Sequence, residues 1–402
     1  MAALEIGTSR TVVCVGEVEK AGDRVRITGY GVSKTSGVRK GQIEDISLAQ
    51  ESVRSAMEKA AAALPNVDIG EVMLSITGGH FQASPHEASL ATPKGVVKRM
   101  DIEELNEIVD SIPVNPLRQV LHTLRQKYIV DDKSVVQNPE THSCNILTLN
   151  KLAIHGLKRH IDNAITAVKG SNKLEVTDVI FAGIGAATSV LTPEQKERGV
   201  VLIDLGGGTT TYMVYGGGVL IAAGCIALGG DHVTNDIDIA FPRLGSAKAE
   251  ELKCTEGSAL IGKDDESQRI MVQLGLMDLD KLYISRRALN TVINARMDEL
   301  FAELRDRLSR ERVPIDLGTD VVLTGGGAYL RGVEDVARHV LGMPCTIGLP
   351  QNVDWAVDVE QPASFATVAG MLMYGHANYK QMGLFSSCKN WFENLFKGAP
   401  QS

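Results

Sequence analysis

VVLIDLGGGTTTYMVYGGGVL, residues 200–220, reads as an apolar strand, an acid at its end, three glycines, hydroxyl residues and a second apolar strand. Four β-branched or leucine residues precede Asp204, which suits a strand buried on both faces. Gly206, Gly207 and Gly208 allow close backbone approach to a ligand. Thr209 and Thr210 add hydroxyl donors, and Asp204 at the strand end can reach a magnesium ion through water. A hairpin follows across Gly216–Gly218. A glycine-rich turn is common in proteins that bind nothing, so this stretch gains meaning from a second copy. LEIGTSRTVVCVGEV, residues 4–18, repeats the plan with Glu5, Gly7, Thr8 and Ser9. Inward-pointing backbone N–H groups in such turns bind phosphate. Two acid–glycine–hydroxyl turns point to a duplicated core with a phosphate site between its halves, one acid from each.

The pattern extends outward from these turns. A third strand carrying Val25, Ile27 and Val32 is broken by Gly29 and Gly31. A helix follows Asp45, with Ile46, Ala49, Val53, Ala56, Ala60 and Leu64 on one stripe, and a strand at 72–76 completes a βββαβ unit. Residues 81–160 differ in texture: Pro85, Pro93, Pro113, Pro116, Pro139 and most histidines fall here, with a charged helix at 101–110 and strands at 128–130 and 146–149. This reads as an inserted subdomain. Strands at 176–181 and 200–204 resume the first pattern. A helical region covers about 279–308, with Leu282, Leu289, Val292, Ile293, Leu300, Leu304 and Leu308 on its apolar side. A strand at 321–323 enters Gly325-Gly326-Gly327, which suits the flat face of a base or sugar. Gly229-Gly230-Asp231 is a further turn, as an approach to a nucleotide or as a plain turn. Glu250 and Lys253 share a helical face, as a nucleotide contact or as a solvated ion pair. A helix at 365–374 closes the body.

The chain has 402 residues, net charge −8 and 44% apolar residues, a globular balance sized for two or more units. The negative charge argues against broad nucleic-acid binding. Cys14, Cys144, Cys225, Cys254, Cys345 and Cys388 form no CxxC pair, which implies reduced thiols. There is no apolar run of spanning length and no signal-peptide pattern.

The end of the chain is amphipathic. As a helix, Leu384, Phe385, Cys388, Trp391, Phe392, Leu395 and Phe396 share one face; Lys389, Asn390, Glu393, Asn394 and Lys397 share the other. That is the profile of an interfacial membrane helix, and also of a helix docked on the body. Full burial of Trp391, Phe392, Leu395 and Phe396 gives at most roughly 6–12 kcal/mol, at about 1.5–3 each. Interfacial burial is partial, so one tail binds weakly, and several tails held together would bind by avidity.

The chain resembles the actin, heat-shock-chaperone and sugar-kinase superfamily, and within it the bacterial FtsA cell-division family. The resemblance rests on residues 4–18 and 200–220, with GVRKGQIEDI (37–46), YIVDD (128–132), GIGAATSVL (183–191), IALGGDHVTNDI (226–237), AEELK (249–253), VVLTGGGAYLRGVEDVA (321–337), FATVAGMLMYG (365–375) and NWFENLFKG (390–398). It implies an α/β, actin-like two-lobed fold with a duplicated βββαβα core, a nucleotide cleft between the lobes and an FtsA-type inserted subdomain. Lobe 1 would be 1–80, completed by about 161–190 and 363–379; the insert 81–160; lobe 2 191–240, completed by about 312–362; its helical subdomain 241–311; and linker plus membrane helix 380–402. It implies ATP and Mg2+ as ligands, with Glu250 and Lys253 at the ribose and base. It also implies self-assembly, the FtsZ C-terminal peptide and other division proteins as partners, and a place at the division ring on the cytoplasmic side of the inner membrane. Three departures imply ATP binding with at most weak hydrolysis. Glu5 stands where the family usually has Asp, moving the carboxylate by about 1.5 Å. Thr211 replaces an acid that often follows the second phosphate turn. GIGAATSVL offers no carboxylate or glutamine to orient water. Two other readings are a PilM-like pilus-assembly actin homologue, which the terminal helix disfavours, and a small-molecule kinase, for which no base acid is evident.

Overall fold

The computed structural model describes residues 1–402 apart from 19–23, 66, 93–94, 173, 276–280, 312, 314–318 and 383–402. The terminal segment with Leu384, Phe385, Trp391, Phe392, Leu395 and Phe396 therefore lies outside the described residues.

The first half opens with an antiparallel meander, β1 (Ala2–Ile6), β2 (Arg10–Val18) and β3 (Val25–Lys34). A small hairpin follows, β4 (Val38–Arg39) and β5 (Gln42–Ile43). The helix after Asp45 is α1 (Ile46–Ala63), and the Asp45 carboxylate caps it by accepting the Leu48 N–H at 3.1 Å. β6 (Glu71–Ile76) then lies parallel to β1. Gly29 and Gly31 do not break β3, which is continuous. They let α1 approach: a Cβ on Gly31 would strike the Ala56 carbonyl, and one on Gly29 would lie 2.7 Å from Leu64.

The inserted region folds as β7 (Gln82–Ala91), α2 (Arg99–Asp110), β8 (Arg118–Val130), β9 (Ser134–Val136) and β10 (Ile146–Leu157), in the sheet order β7-β10-β8-β9. Its own core gathers Val97, Leu105, Val109, Tyr128, Leu147 and Leu149. The strands expected at 128–130 and 146–149 are the ends of much longer ones. Polar residues such as Arg125, Lys127, Asn150 and Lys151 interrupt the apolar runs without ending the strands, and the β10–β8 ladder shifts register between Asn150 and Lys151.

The chain returns through α3 (Lys158–Asn172) to β11 (Glu175–Phe181), parallel to β6, then α4 (Ala182–Val190) and α5 (Pro193–Arg198). The second half holds β12 (Val200–Leu205), β13 (Thr210–Gly216), β14 (Val219–Ile226), α6 (Gly230–Ala240), α7 (Gly245–Thr255), β15 (Arg269–Gln273), β16 (Lys281–Ser285), α8 (Arg286–Arg310), β17 (Asp320–Thr324), α9 (Val333–Leu341), β18 (Cys345–Ile347), β19 (Val353–Trp355) and α10 (Ala366–Met382). Two expectations change here. Residues 281–285 form a strand against β15, not the start of a helix, so Leu282 belongs to a hairpin; α8 begins after Ser285. Within 312–362, β19 pairs in parallel with β3 and so joins the first sheet.

Duplication is visible in strand order. The first sheet runs β11-β6-β1-β2-β3 before β19, and the second runs β18-β17-β12-β13-β14. In each, three antiparallel strands are extended by two parallel ones. β12 is buried on both faces, and its alternation divides the core. Val200 and Leu202 pack into the first cluster, Val201, Ile203 and Leu205 into the second.

Between the two sheets, α4 and α10 pack on each other through small residues. A Cβ on Gly370 would strike the Gly185 carbonyl, and one on Gly185 would lie 2.5 Å from the Thr367 carbonyl. Backbone meets backbone here, so no side chain can move aside. The stretch GIGAATSVL is thus a packing surface. Overpacking typically costs about 1–3 kcal/mol and more against rigid backbone, which outweighs any gain in helix propensity. Gly370→Val is expected to lower the thermal unfolding midpoint by several degrees, as measured by circular dichroism. An unchanged midpoint would show that this crossing does not limit stability.

Candidate functional site

Strand register places the two acids in matching positions. Glu5 pairs with Val12 across the first hairpin, and Asp204 with Thr211 across the second. Each is followed two residues later by a glycine whose N–H closes the turn: Gly7 donates to the Arg10 carbonyl at 3.0 Å, Gly206 to the Thr209 carbonyl at 3.0 Å. The two turns meet tip to tip. A Cβ on Gly208 would collide with Thr8, and one on Gly207 with the Ser9 hydroxyl. Absence of side chains on the second turn thus lets the hydroxyls of the first fit against it.

A cavity of about 340 Å3 opens beside the turns. From the first half it is lined by Glu5, Gly7, Thr8 and Ser9, and from the second by Asp204, Gly206, Gly207 and Thr209. Gly229, Gly230, Glu250 and Lys253 line it from α6 and α7, and Gly325, Gly326 and Gly327 from the turn after β17. Gly208 and Thr210 do not line it. Thr210 is fully buried and its hydroxyl donates to the Leu228 carbonyl at 2.9 Å, which fixes the loop before α6. Gly325 has a reason to be glycine: its φ is +84°, and a Cβ there would collide with the Asp204 carboxylate.

The acids are under electrostatic load. Burial, then the charge of Asp204, raises the Glu5 carboxyl to about 7, with Arg10 opposing. Burial likewise raises Asp204, against a 3.2 Å hydrogen bond from Thr367 and the Arg10 charge. Arg10 is held in place by Ser364, donating to its hydroxyl at 2.9 Å and to its carbonyl, with its guanidinium 5.3 Å from the Phe365 ring centre. The residues leading into α10 therefore touch both acids' counter-charge and one acid directly.

Glu250 and Lys253 do form an ion pair, at 2.6 Å, yet it is part of the cavity wall. Lys253 is only 12% exposed and also donates to the Gly230 carbonyl at 3.1 Å and the Thr234 hydroxyl at 2.9 Å. Its donors are committed to protein. Glu250 is 48% exposed, so its carboxylate keeps an open edge. Burial raises its carboxyl, but Lys253 and the hydrogen bonds from Thr234 and Cys254 hold it below the ordinary value.

Asp231 lines the cavity with Gly229 and Gly230, while several other cavity residues were not singled out in the sequence: Arg10, Tyr329, Arg331, Gln361, Ser364 and Thr367. Arg10 sat within a quoted motif, and its place after the turn was the available signal. Ser364 and Thr367 lie far away in sequence and carry no local signature. Thr211 shares a hydrogen bond of 3.0 Å with Thr77, linking the second hairpin to the strand end of the first half. Among the described residues no group of three His, Cys, Asp or Glu side chains could hold a metal ion. No helix among them is long and apolar enough to cross a membrane.

Comparison with known proteins follows the same lines. The family model for cell division protein FtsA matches residues 201–370, and that for the SHS2 domain inserted in FtsA matches 78–154. Cell division protein FtsA of Pseudomonas aeruginosa is 31% identical over 92% of this chain and 88% of its own length. That of Escherichia coli K12 is 31% identical over 94% and 90%. Among solved structures, the PilM-PilN type IV pilus biogenesis complex aligns with TM-score 0.64 at 18% identity, over 93% of this chain and 98% of that one. MreB5 of Spiroplasma citri bound to ADP aligns with TM-score 0.51 at 13% identity, over 95% and 98%. These structural likenesses establish the actin-like fold with its inserted domain.

The raised Glu5 carboxyl has a testable sign. Between about 4.5 and about 7 the folded protein holds a proton that the unfolded chain has shed. Its stabilising contribution is present below the lower value and is lost as pH rises through the upper one. Glu5→Gln is expected to match the ligand-free wild type in thermal midpoint at pH 5 and to exceed it by a few degrees at pH 8. A variant less stable than wild type at pH 8 would contradict this account.

Proposed function

Because this chain belongs to the FtsA cell-division family, we propose that it binds ATP between its two halves, assembles with copies of itself, and tethers FtsZ filaments to the inner face of the cytoplasmic membrane at the division site. The observation that carries the nucleotide reading is the pair of register-matched hairpin turns opening on one cavity with Glu250 and the Gly325–Gly327 turn. Its volume of about 340 Å3 falls in the range of small-molecule sites.

The residues divide the work. The backbone of the two glycine turns and the hydroxyls of Thr8, Ser9 and Thr209 would receive the phosphates. The exposed edge of Glu250 would accept hydrogen bonds from the ribose, while Lys253 orients Glu250 and braces the Gly230 carbonyl. Met297, Leu300 and Leu330 supply apolar wall for a base. Glu5 and Asp204 would hold an accompanying magnesium ion. Their fit rests on charge: two acids raised by burial, one of them by its neighbour, gain from a dication between them. Such an ion would neutralise phosphate charge and complete its coordination with water. Thr211, bonded to Thr77, and the packed α4 offer no carboxylate or amide to orient water, which supports weak hydrolysis.

The membrane half rests on the sequence of 384–402 and on the family. α10 starts at the cavity, and its described residues run to Met382. The anchor is weak by composition, and self-assembly makes it effective.

Two measurements separate the halves of this proposal. Asp204→Ala is expected to weaken ATP binding at least tenfold by isothermal titration calorimetry; unchanged affinity would remove the phosphate reading. Deleting residues 384–402 is expected to abolish pelleting with anionic liposomes and mid-cell localisation while leaving ATP affinity intact. Pelleting that survives the deletion would remove the anchor.

A further inference from the structure

Asp231 is the one acid at the cavity that the nucleotide reading leaves without a task. It is the second residue of α6, and its backbone N–H donates to the Gly207 carbonyl at 2.8 Å. Its carboxylate accepts the Ser9 hydroxyl at 2.7 Å, and Ser9 belongs to the opposite half. A Cβ on Gly207 would lie 3.0 Å from the same carboxylate oxygen. Asp231 thus bridges the two phosphate turns at the point where they meet, with Ser9 and Gly207 both in the cavity lining.

We propose that the Asp231 carboxylate occupies the place of a terminal phosphate in the ligand-free protein, so that it sets the preference of the site between nucleoside tri- and diphosphates. The proposal rests on the nucleotide reading above. A carboxylate at a helix N-terminus, accepting a hydroxyl from a phosphate-binding turn, satisfies the same donors that a phosphate oxygen would. Two anions cannot share one hydroxyl donor, and like charges within a few ångströms repel. A third phosphate must therefore break the Ser9–Asp231 bond and push the carboxylate aside. A diphosphate ends one phosphate short and leaves that bond in place. The clasp between the halves would then open with triphosphate alone, which makes the ligand-free and diphosphate forms alike in how the halves are joined.

The predicted signature is a ratio. ATP and ADP affinities are measured by calorimetry, with magnesium present, on the full chain and on Asp231→Asn and Asp231→Ala. Both variants remove the competing charge, and Asn keeps an acceptor of the same shape for Ser9. ATP is expected to bind about 5- to 50-fold more tightly to both variants than to wild type, with ADP affinity changed less than twofold. Affinities for ATP and ADP that fall together, or a ratio that stays at the wild-type value in both variants, would overturn the role of Asp231 alone. A wild-type chain that binds neither nucleotide would overturn the nucleotide reading and this proposal together. Circular dichroism of each variant at the titration temperature confirms that folded protein is being compared.

Discussion

Two carboxylates, Glu5 and Asp204, are fixed by strand register at equivalent points of a duplicated core; burial raises both, and the charge of Asp204 raises Glu5 further. Much else in the molecule answers that constraint. Arg10 brings a positive charge that opposes the shift of both acids and is locked by Ser364 and Phe365. Thr367 donates to Asp204, and Gly325 takes a left-handed backbone so that the Asp204 carboxylate has room. Burying two acids side by side is costly, and such perturbed groups cluster where a ligand binds. The acids thus explain why the cavity is where it is, and the glycine turns explain what shape of partner fits.

The readable part of this architecture was local. Acid–glycine–hydroxyl turns, the helix after Asp45 and the glycine run after β17 are each set by neighbours in sequence, and each is found where the pattern indicated. What was not readable depends on residues distant in the chain. Glycines 29 and 31 look like breaks in a strand until a helix is laid across them. Leu282 fits a helical stripe by spacing, yet a ladder with Ile270–Val272 claims it. The long strands of the insert carry charged residues that hydropathy scores as interruptions: Arg125 and Lys127 are exposed, while the buried Lys151 is paired with Asp110. Thr367 reaches Asp204, and Ser364 reaches Arg10, only because α10 starts beside them.

The same contrast applies to the site. Its glycines and acids announce themselves, since few other residue types permit close backbone approach or hold a cation. The residues that tune it are ordinary in sequence. Asp231 reads as a helix-start acid, Arg10 as a polar residue after a turn, and Thr211 as one of three threonines in a row. Their roles come from which partner each meets: Ser9, Ser364 and Thr77.

The edge strand Val353–Trp355 and the helix Ala366–Met382 belong, by packing, with strands that begin at Ala2. Residues from the last part of the chain thus close the sheet begun by the first. Contacts of such wide sequence separation are slow to form and leave early strands exposed meanwhile. During synthesis the opening meander would wait on the ribosome, with one edge and one face uncovered, until almost the whole polypeptide had emerged. A chain cut short before α10 would leave the first sheet without the helix that covers it, and exposed apolar surface of that kind is what chaperones and proteases act on.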